Sequence, residues 1–203
     1  MIKKVVIIGP ESTGKSSLCE LLAQHYASIW CPEFAREYLV TNGKDYDFED
    51  LLFIAKGQLA LEDEYTRLMQ HQWSKVKSQA TETNAITWVN STTLITTHQS
   101  PILFIDTDMY VMKVWCEYVF QKCHQFILDE IVKRKYDLYL LCDTDLPWVK
   151  DDLREYPDEK TRRELYHTYK DLLINQQVPW VAISGSNAER TLAAIDAVDK
   201  YLK

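Results

Sequence analysis

Eight residues near the amino end, Gly9-Pro10-Glu11-Ser12-Thr13-Gly14-Lys15-Ser16, match the pattern G-x-x-x-x-G-K-[ST] in full. Each residue type has a use around a polyphosphate. Gly9 and Gly14 permit backbone angles that a β-carbon opposes. Consecutive main-chain N–H groups form an anion nest, and a following helix adds its positive dipole end. Lys15 supplies a point charge to the β- and γ-phosphates, and the Ser16 hydroxyl suits Mg²⁺. ATP contacts are therefore expected from Gly9, Glu11, Ser12, Thr13, Gly14, Lys15, Ser16 and Ser17. The motif establishes nucleotide binding but does not decide between hydrolysis, switching and transfer.

Carboxylates stand where such a loop needs them. Pro101–Ile105 is a buried-strand run closing on Asp106, with Asp108 two residues on. Asp106 is expected on the metal side with Ser16, directly or through water. Asp108 is expected at the strand end, where open α/β sheets bind ligands, and either residue can instead cap the next helix. Glu33, Arg36 and Glu37 share one helical face after a short strand. Glu33 suits a base that takes a hydroxyl proton, with Asp108 the second candidate for that role, and Arg36 suits substrate positioning; a surface ion-pair cluster is the plain alternative for the helical face.

Two more groups lie further along the chain. Asp143-Thr144-Asp145-Leu146-Pro147-Trp148 closes another buried strand. Asp145 and Trp148 are read as acceptor contacts, the indole stacking on a flat ring, against an alternative of turn chemistry and a core tryptophan. Arg154, Arg162 and Arg163 fall in a lid expected at about 147–165, facing the transferred phosphate, or else in a solvated charged helix. Ser184-Gly185-Ser186 ends the last strand, where an adenine can lie against backbone with Arg190 stacked on it.

The elements that must hold these groups are legible from periodicity. Strands are expected at Val5–Ile8, Ser28–Cys31, Pro101–Ile105, Tyr136–Cys142 and Val178–Ile183. Helices are expected after Gly14 and over Glu33–Val40, Asp47–Gln72, Tyr110–Phe120, Ile127–Lys135, Asp158–Asn175 and Ala188–Leu202. That alternation implies an α/β, three-layer P-loop fold, a parallel sheet flanked by helices, in one domain over 1–203. Residues 78–100 break the rhythm and read as an insertion, with Asn90-Ser91 able to turn a hairpin. It is either a solvent-side loop or a flap presenting Trp88 to the substrate.

Composition narrows the class. With 23 basic and 30 acidic side chains the net charge is −7, which lacks the basic field a nucleic-acid partner requires. The five cysteines, at 19, 31, 116, 123 and 142, form no C-x-x-C pair and read as buried thiols of a reducing compartment. The apolar run after Lys3-Lys4 is too short for a signal peptide, and no stretch approaches membrane-spanning length, so a cytoplasmic location is expected.

Several blocks together resemble the kinase domain of NadR-type proteins. They are the phosphate loop, Pro32-Glu33-Phe34-Ala35-Arg36-Glu37-Tyr38, Phe104-Ile105-Asp106-Thr107-Asp108, Tyr136–Leu141 and Asp145-Leu146-Pro147-Trp148 through Arg154, in order over nearly the whole chain. The resemblance implies phosphorylation of nicotinamide riboside with ATP and Mg²⁺, a fold like the nucleoside kinases, and an acidic base at the position of Glu33. It also implies that Asp106, Asp108, Asp145, Trp148 and Arg154 line the acceptor and lid side. The family's bifunctional members carry an H-x-G-H motif that none of the histidines at 25, 71, 98, 124 and 167 forms, so adenylyl transfer is not expected. Rival readings are a kinase for another nucleoside and a P-loop regulatory ATPase with a protein client.

Overall fold

The computed structural model describes residues 1–82, 87–89, 93–95 and 100–203, with side chains outside 77–99. The elements in order are β1 (Lys3–Ile8), α1 (Lys15–His25), β2 (Trp30–Cys31), α2 (Phe34–Asn42), α3 (Phe48–Glu82), β3 (Thr87–Val89) and β4 (Thr93–Ile95). Then come β5 (Ile102–Asp106), α4 (Met109–Phe120), α5 (Gln125–Lys133), β6 (Leu138–Cys142), α6 (Glu159–Ile174), β7 (Trp180–Ile183) and α7 (Asn187–Leu202).

Five strands form one parallel sheet in the order β2-β5-β1-β6-β7. The central strands are apolar on both faces because both are covered. Val5, Ile7, Phe104 and Leu140 pack against Leu18 and Leu22 of α1 and Val198 of α7. Val6, Ile8, Leu103 and Leu141 point the other way, onto Leu165, Tyr169 and Leu173 of α6. A third cluster, around Leu51, Ile54, Met112 and Ile127, joins α3, α4 and α5 beside the sheet. The expected three-layer α/β architecture is what the chain adopts.

Departures from the periodicity are local. The opening residues of four expected strands, Ser28-Ile29, Pro101, Tyr136-Asp137 and Val178-Pro179, lie outside the sheet strands. Asp137 is instead held by the Lys3 side chain and the Lys4 backbone. The helix expected to stop at Gln72 runs on to Glu82, so the stretch read as an insertion begins inside it. Beyond it β3 and β4 pair antiparallel, Thr87 opposite Ile95. Asn90-Ser91 and the Trp88 side chain, on which the flap reading depended, lie outside the described residues. Cys19, Cys31, Cys116 and Cys142 are buried and free, and Cys123 is half-buried. Among the described residues no helix is long and apolar enough to cross a membrane.

Candidate active site

The carboxyl ends of β1 and β5 lie side by side, Ile7 paired with Asp106, and the segments leaving these two strands build the site. After β1 the chain turns through Gly9 (φ 142°), whose absent β-carbon would sit 2.7 Å from the Cys142 carbonyl oxygen. No larger residue fits there without pushing the loop away from β6. Thr13 Oγ1 donates to the Pro10 carbonyl at 2.7 Å and closes the loop on itself. Gly14, left-handed at φ 76°, caps α1 with no side-chain acceptor, so the helix presents its first-turn amides to whatever anion occupies the loop. Lys15 Nζ lies across the mouth, donating to the Pro10 carbonyl at 2.9 Å.

Asp106 closes the other side. Its Oδ2 accepts from the Ser16 hydroxyl at 2.5 Å, and its buried Oδ1 has no hydrogen-bond partner among the described residues. Burial, reinforced by the charge of Glu33 and opposed by Lys15 and Ser16, pushes this carboxyl up to about 6. An unpartnered buried carboxylate oxygen next to a hydroxyl is a donor set that suits a hard divalent cation. Thr107 follows in the left-handed region at φ 77°, a conformation few β-branched residues adopt, and its hydroxyl donates to Glu33 Oε1 at 3.4 Å.

Glu33 sits at the start of α2, straight after β2, and faces the same cavity of about 490 Å³ as the phosphate loop and Asp106. The same cavity has an aromatic lining, with Trp115 and Tyr118 from α4, Tyr169 from α6 and Tyr156 from the segment before α6. Tyr118 and Tyr156 meet edge to face, centroids 5.3 Å apart. Arg36 reaches across to Asp151 at 2.7 Å and ties α2 to that segment.

The structure brings Gly9, Glu11, Ser12, Thr13, Gly14, Lys15, Ser16, Ser17, Glu33, Arg36, Asp106 and Arg154 to one cavity. Six expected residues do not line it, among them Arg163, which is exposed and reaches the Asp143 carboxylate at 3.5 Å. Asp108 is a buried helix cap: Oδ1 accepts from the amides of Tyr110 and Val111 and Oδ2 from the Tyr139 hydroxyl at 2.8 Å. Burial pushes its carboxyl up to about 7 against those hydrogen bonds. Asp145 is turned to the amide of Gly185 and the guanidinium of Arg190. Arg190 is buried, with its other N–H groups on the carbonyls of Thr13, Asp143 and Gly185, each at 2.9 Å. Arg162 is also buried and reaches the carbonyls of Ser12 and Leu146 at 3.3 and 3.4 Å. Both arginines hold the loop from behind. Trp148 is half-buried and away from the cavity.

The Glu11 side chain is turned as well. It lies on the segment before α6, Oε2 accepting from the Glu155 amide at 2.9 Å and Oε1 from the Tyr156 amide. Sequence reasoning missed the aromatic wall and Thr107. The wall carried a signal, since Val111, Trp115 and Tyr118 recur at intervals of three and four, one face of α4. Thr107 carried none, because its importance rests on a backbone angle.

A model of the AAA domain family matches residues 4–190. The Trifunctional NAD biosynthesis/regulator protein NadR of Escherichia coli (strain K12) is 25% identical over 203 residues, which is 99% of this chain and 43% of that protein. The chain thus spans less than half the length of this curated relative. Among solved structures, NadR protein in complex with NR superposes with a TM-score of 0.66 at 21% identity, over 98% of this chain and 50% of that one. NadR protein in complex with NAD and AMP-PNP gives 0.63 at 20% identity, over 98% and 49%. These structures share the same fold. With its phosphate loop and flanking strands inside a match that covers most of its length, the chain belongs to the AAA domain family.

Proposed function

We propose that this chain is an ATP-dependent phosphotransferase that phosphorylates nicotinamide riboside to nicotinamide mononucleotide. One observation carries the reading: the phosphate loop, the Ser16–Asp106 pair and Glu33 line one cavity together with Trp115, Tyr118, Tyr156 and Tyr169. A switch ATPase has no need of a walled acceptor pocket beside its γ-phosphate. The likeness to NadR along nearly the whole chain supports nicotinamide riboside as acceptor.

Each residue has a place in the transfer. The loop amides and Lys15 hold the phosphates and offset the charge that spreads over the transferred group. Ser16 and Asp106 would hold Mg²⁺, which when bound neutralises phosphate oxygens. Glu33 accepts the proton of the attacking ribose hydroxyl, and Thr107 steadies it. Arg36 fixes the acceptor side, and Arg154, which lines the cavity from the segment before α6, supplies positive charge to the moving phosphoryl. The aromatic wall takes the flat base, excluding water as it does so. We place the enzyme in the cytoplasm, in keeping with its free thiols.

The test is a substrate panel with the purified protein, ATP and Mg²⁺. ADP and nicotinamide mononucleotide should appear in equal amounts with nicotinamide riboside. Product from another nucleoside alone would change the acceptor. ATP hydrolysis indifferent to every nucleoside would end the kinase reading.

A further inference from the structure

We infer that Glu11 is a positioning residue that couples the phosphate loop to the acceptor wall, rather than a contact to ATP. An acidic side chain inside a polyphosphate cradle opposes its ligand unless it is turned away and engaged. Here both carboxylate oxygens are engaged, on the amides of Glu155 and Tyr156. The next loop residue makes a matching tie, Ser12 Oγ accepting from the Val149 amide at 2.9 Å. Consecutive residues of the loop therefore hold both ends of the segment 149–156. Arg154 lies between the two ties, its guanidinium donating to the Val149 carbonyl at 2.5 Å.

The far side of the same dipeptide belongs to the acceptor pocket. Tyr156 packs on Tyr118. Glu155 Oε2 accepts from the Tyr46 hydroxyl at 3.0 Å, and Tyr46 in turn accepts from Trp115 Nε1 at 2.9 Å. Ordering of the loop by nucleotide and ordering of the wall by nucleoside thus act on one short segment, and by linkage each favours the other. The coupling rests on the proposed kinase activity; the clamp itself does not.

Two measurements separate these. Hydrogen exchange on the protein without ligand reads the clamp. In E11A the peptide covering 149–158 should exchange about tenfold faster or more, with α1 and β1 unchanged; E11Q, which keeps one acceptor oxygen, should fall between. Equal exchange in E11A and wild type overturns the clamp whatever the acceptor is. Titration calorimetry of nicotinamide riboside, with and without AMP-PNP and Mg²⁺, reads the coupling. Wild type should gain at least about fivefold in affinity from the nucleotide, and E11A should gain almost nothing while AMP-PNP alone binds no more weakly. A gain retained in E11A, or none in wild type, overturns the coupling. A large loss of AMP-PNP alone in both variants returns Glu11 to the ATP site. Failure of wild type to bind nicotinamide riboside, with the exchange result intact, removes the acceptor and leaves the clamp standing.

Discussion

Ser16 Oγ donates to Asp106 Oδ2 at 2.5 Å, and the other oxygen of that carboxylate is buried without a hydrogen-bond partner among the described residues. The pair joins the first turn of α1 to the end of β5, so two separate elements present oxygen donors to one point. D106N is expected to lower turnover by about a hundredfold or more, on the scale of losing one preorganised electrostatic contact. S16A should raise the Mg²⁺ concentration needed for half-maximal rate. Initial rates across a magnesium titration check both, and unchanged magnesium dependence in both would exclude this cation site.

Lys15 and Glu33 should separate in kinetics. K15A removes charge from the phosphates and should cost about 3 kcal/mol or more in kcat/KM. E33Q keeps size and hydrogen bonding but cannot take a proton. It should lower kcat by about a hundred- to ten-thousandfold while ATP affinity, read by calorimetry, moves little. Wild-type turnover in E33Q would remove Glu33 as base.

Asp108 gives a pH prediction with a definite sign. Its carboxyl stands at about 7 in the folded chain against an ordinary 3.8. The folded state therefore holds the extra proton, and stability from this group is full below about pH 4 and lost as pH rises through about 7. Wild type should lose about 2 kcal/mol between pH 5 and 7.5 through this residue. D108N, which still offers an oxygen to the Tyr110 and Val111 amides, should flatten that part of the curve. Urea unfolding at several pH values checks it, and identical slopes would refute it.

Gly57 inverts an ordinary rule. Alanine in a helix interior normally gains about 1 kcal/mol over glycine. A β-carbon here would collide with the ring of Phe34, the residue after Glu33. Overpacking of this kind costs about 1–3 kcal/mol, so G57A should lower Tm and, by displacing the start of α2, raise KM for the nucleoside. A higher Tm would show that the ring yields freely.

How far the sequence could be read depended on what each signal encodes. The phosphate loop, Asp106 and Glu33 were legible because a motif and a strand end fix where the backbone goes. Asp108 and Asp145 end up near strand ends as expected, yet their side chains turn inward to Tyr139 and Arg190, partners from distant parts of the chain. Strand-end position does not encode side-chain direction. Arg162 in a lid segment and Arg190 after the last strand suit ligand contacts by position, but carbonyls hold them, those of Ser12 and Leu146 for Arg162 and those of Thr13, Asp143 and Gly185 for Arg190. The extension of α3 past Gln72 was legible in principle, because the apolar spacing of Met69 continues through Trp73, Val76 and Ala80.

Thr107 carries a consequence for how this enzyme can change. A β-branched residue at φ 77° costs about 1–3 kcal/mol that glycine would recover. Its hydroxyl is also the one described protein donor to the Glu33 carboxylate. Selection for heat resistance and selection for turnover should therefore favour different residues at this position. A library randomised at codon 107 and sorted under each pressure separately ought to diverge, glycine or asparagine rising in the first and threonine or serine kept in the second.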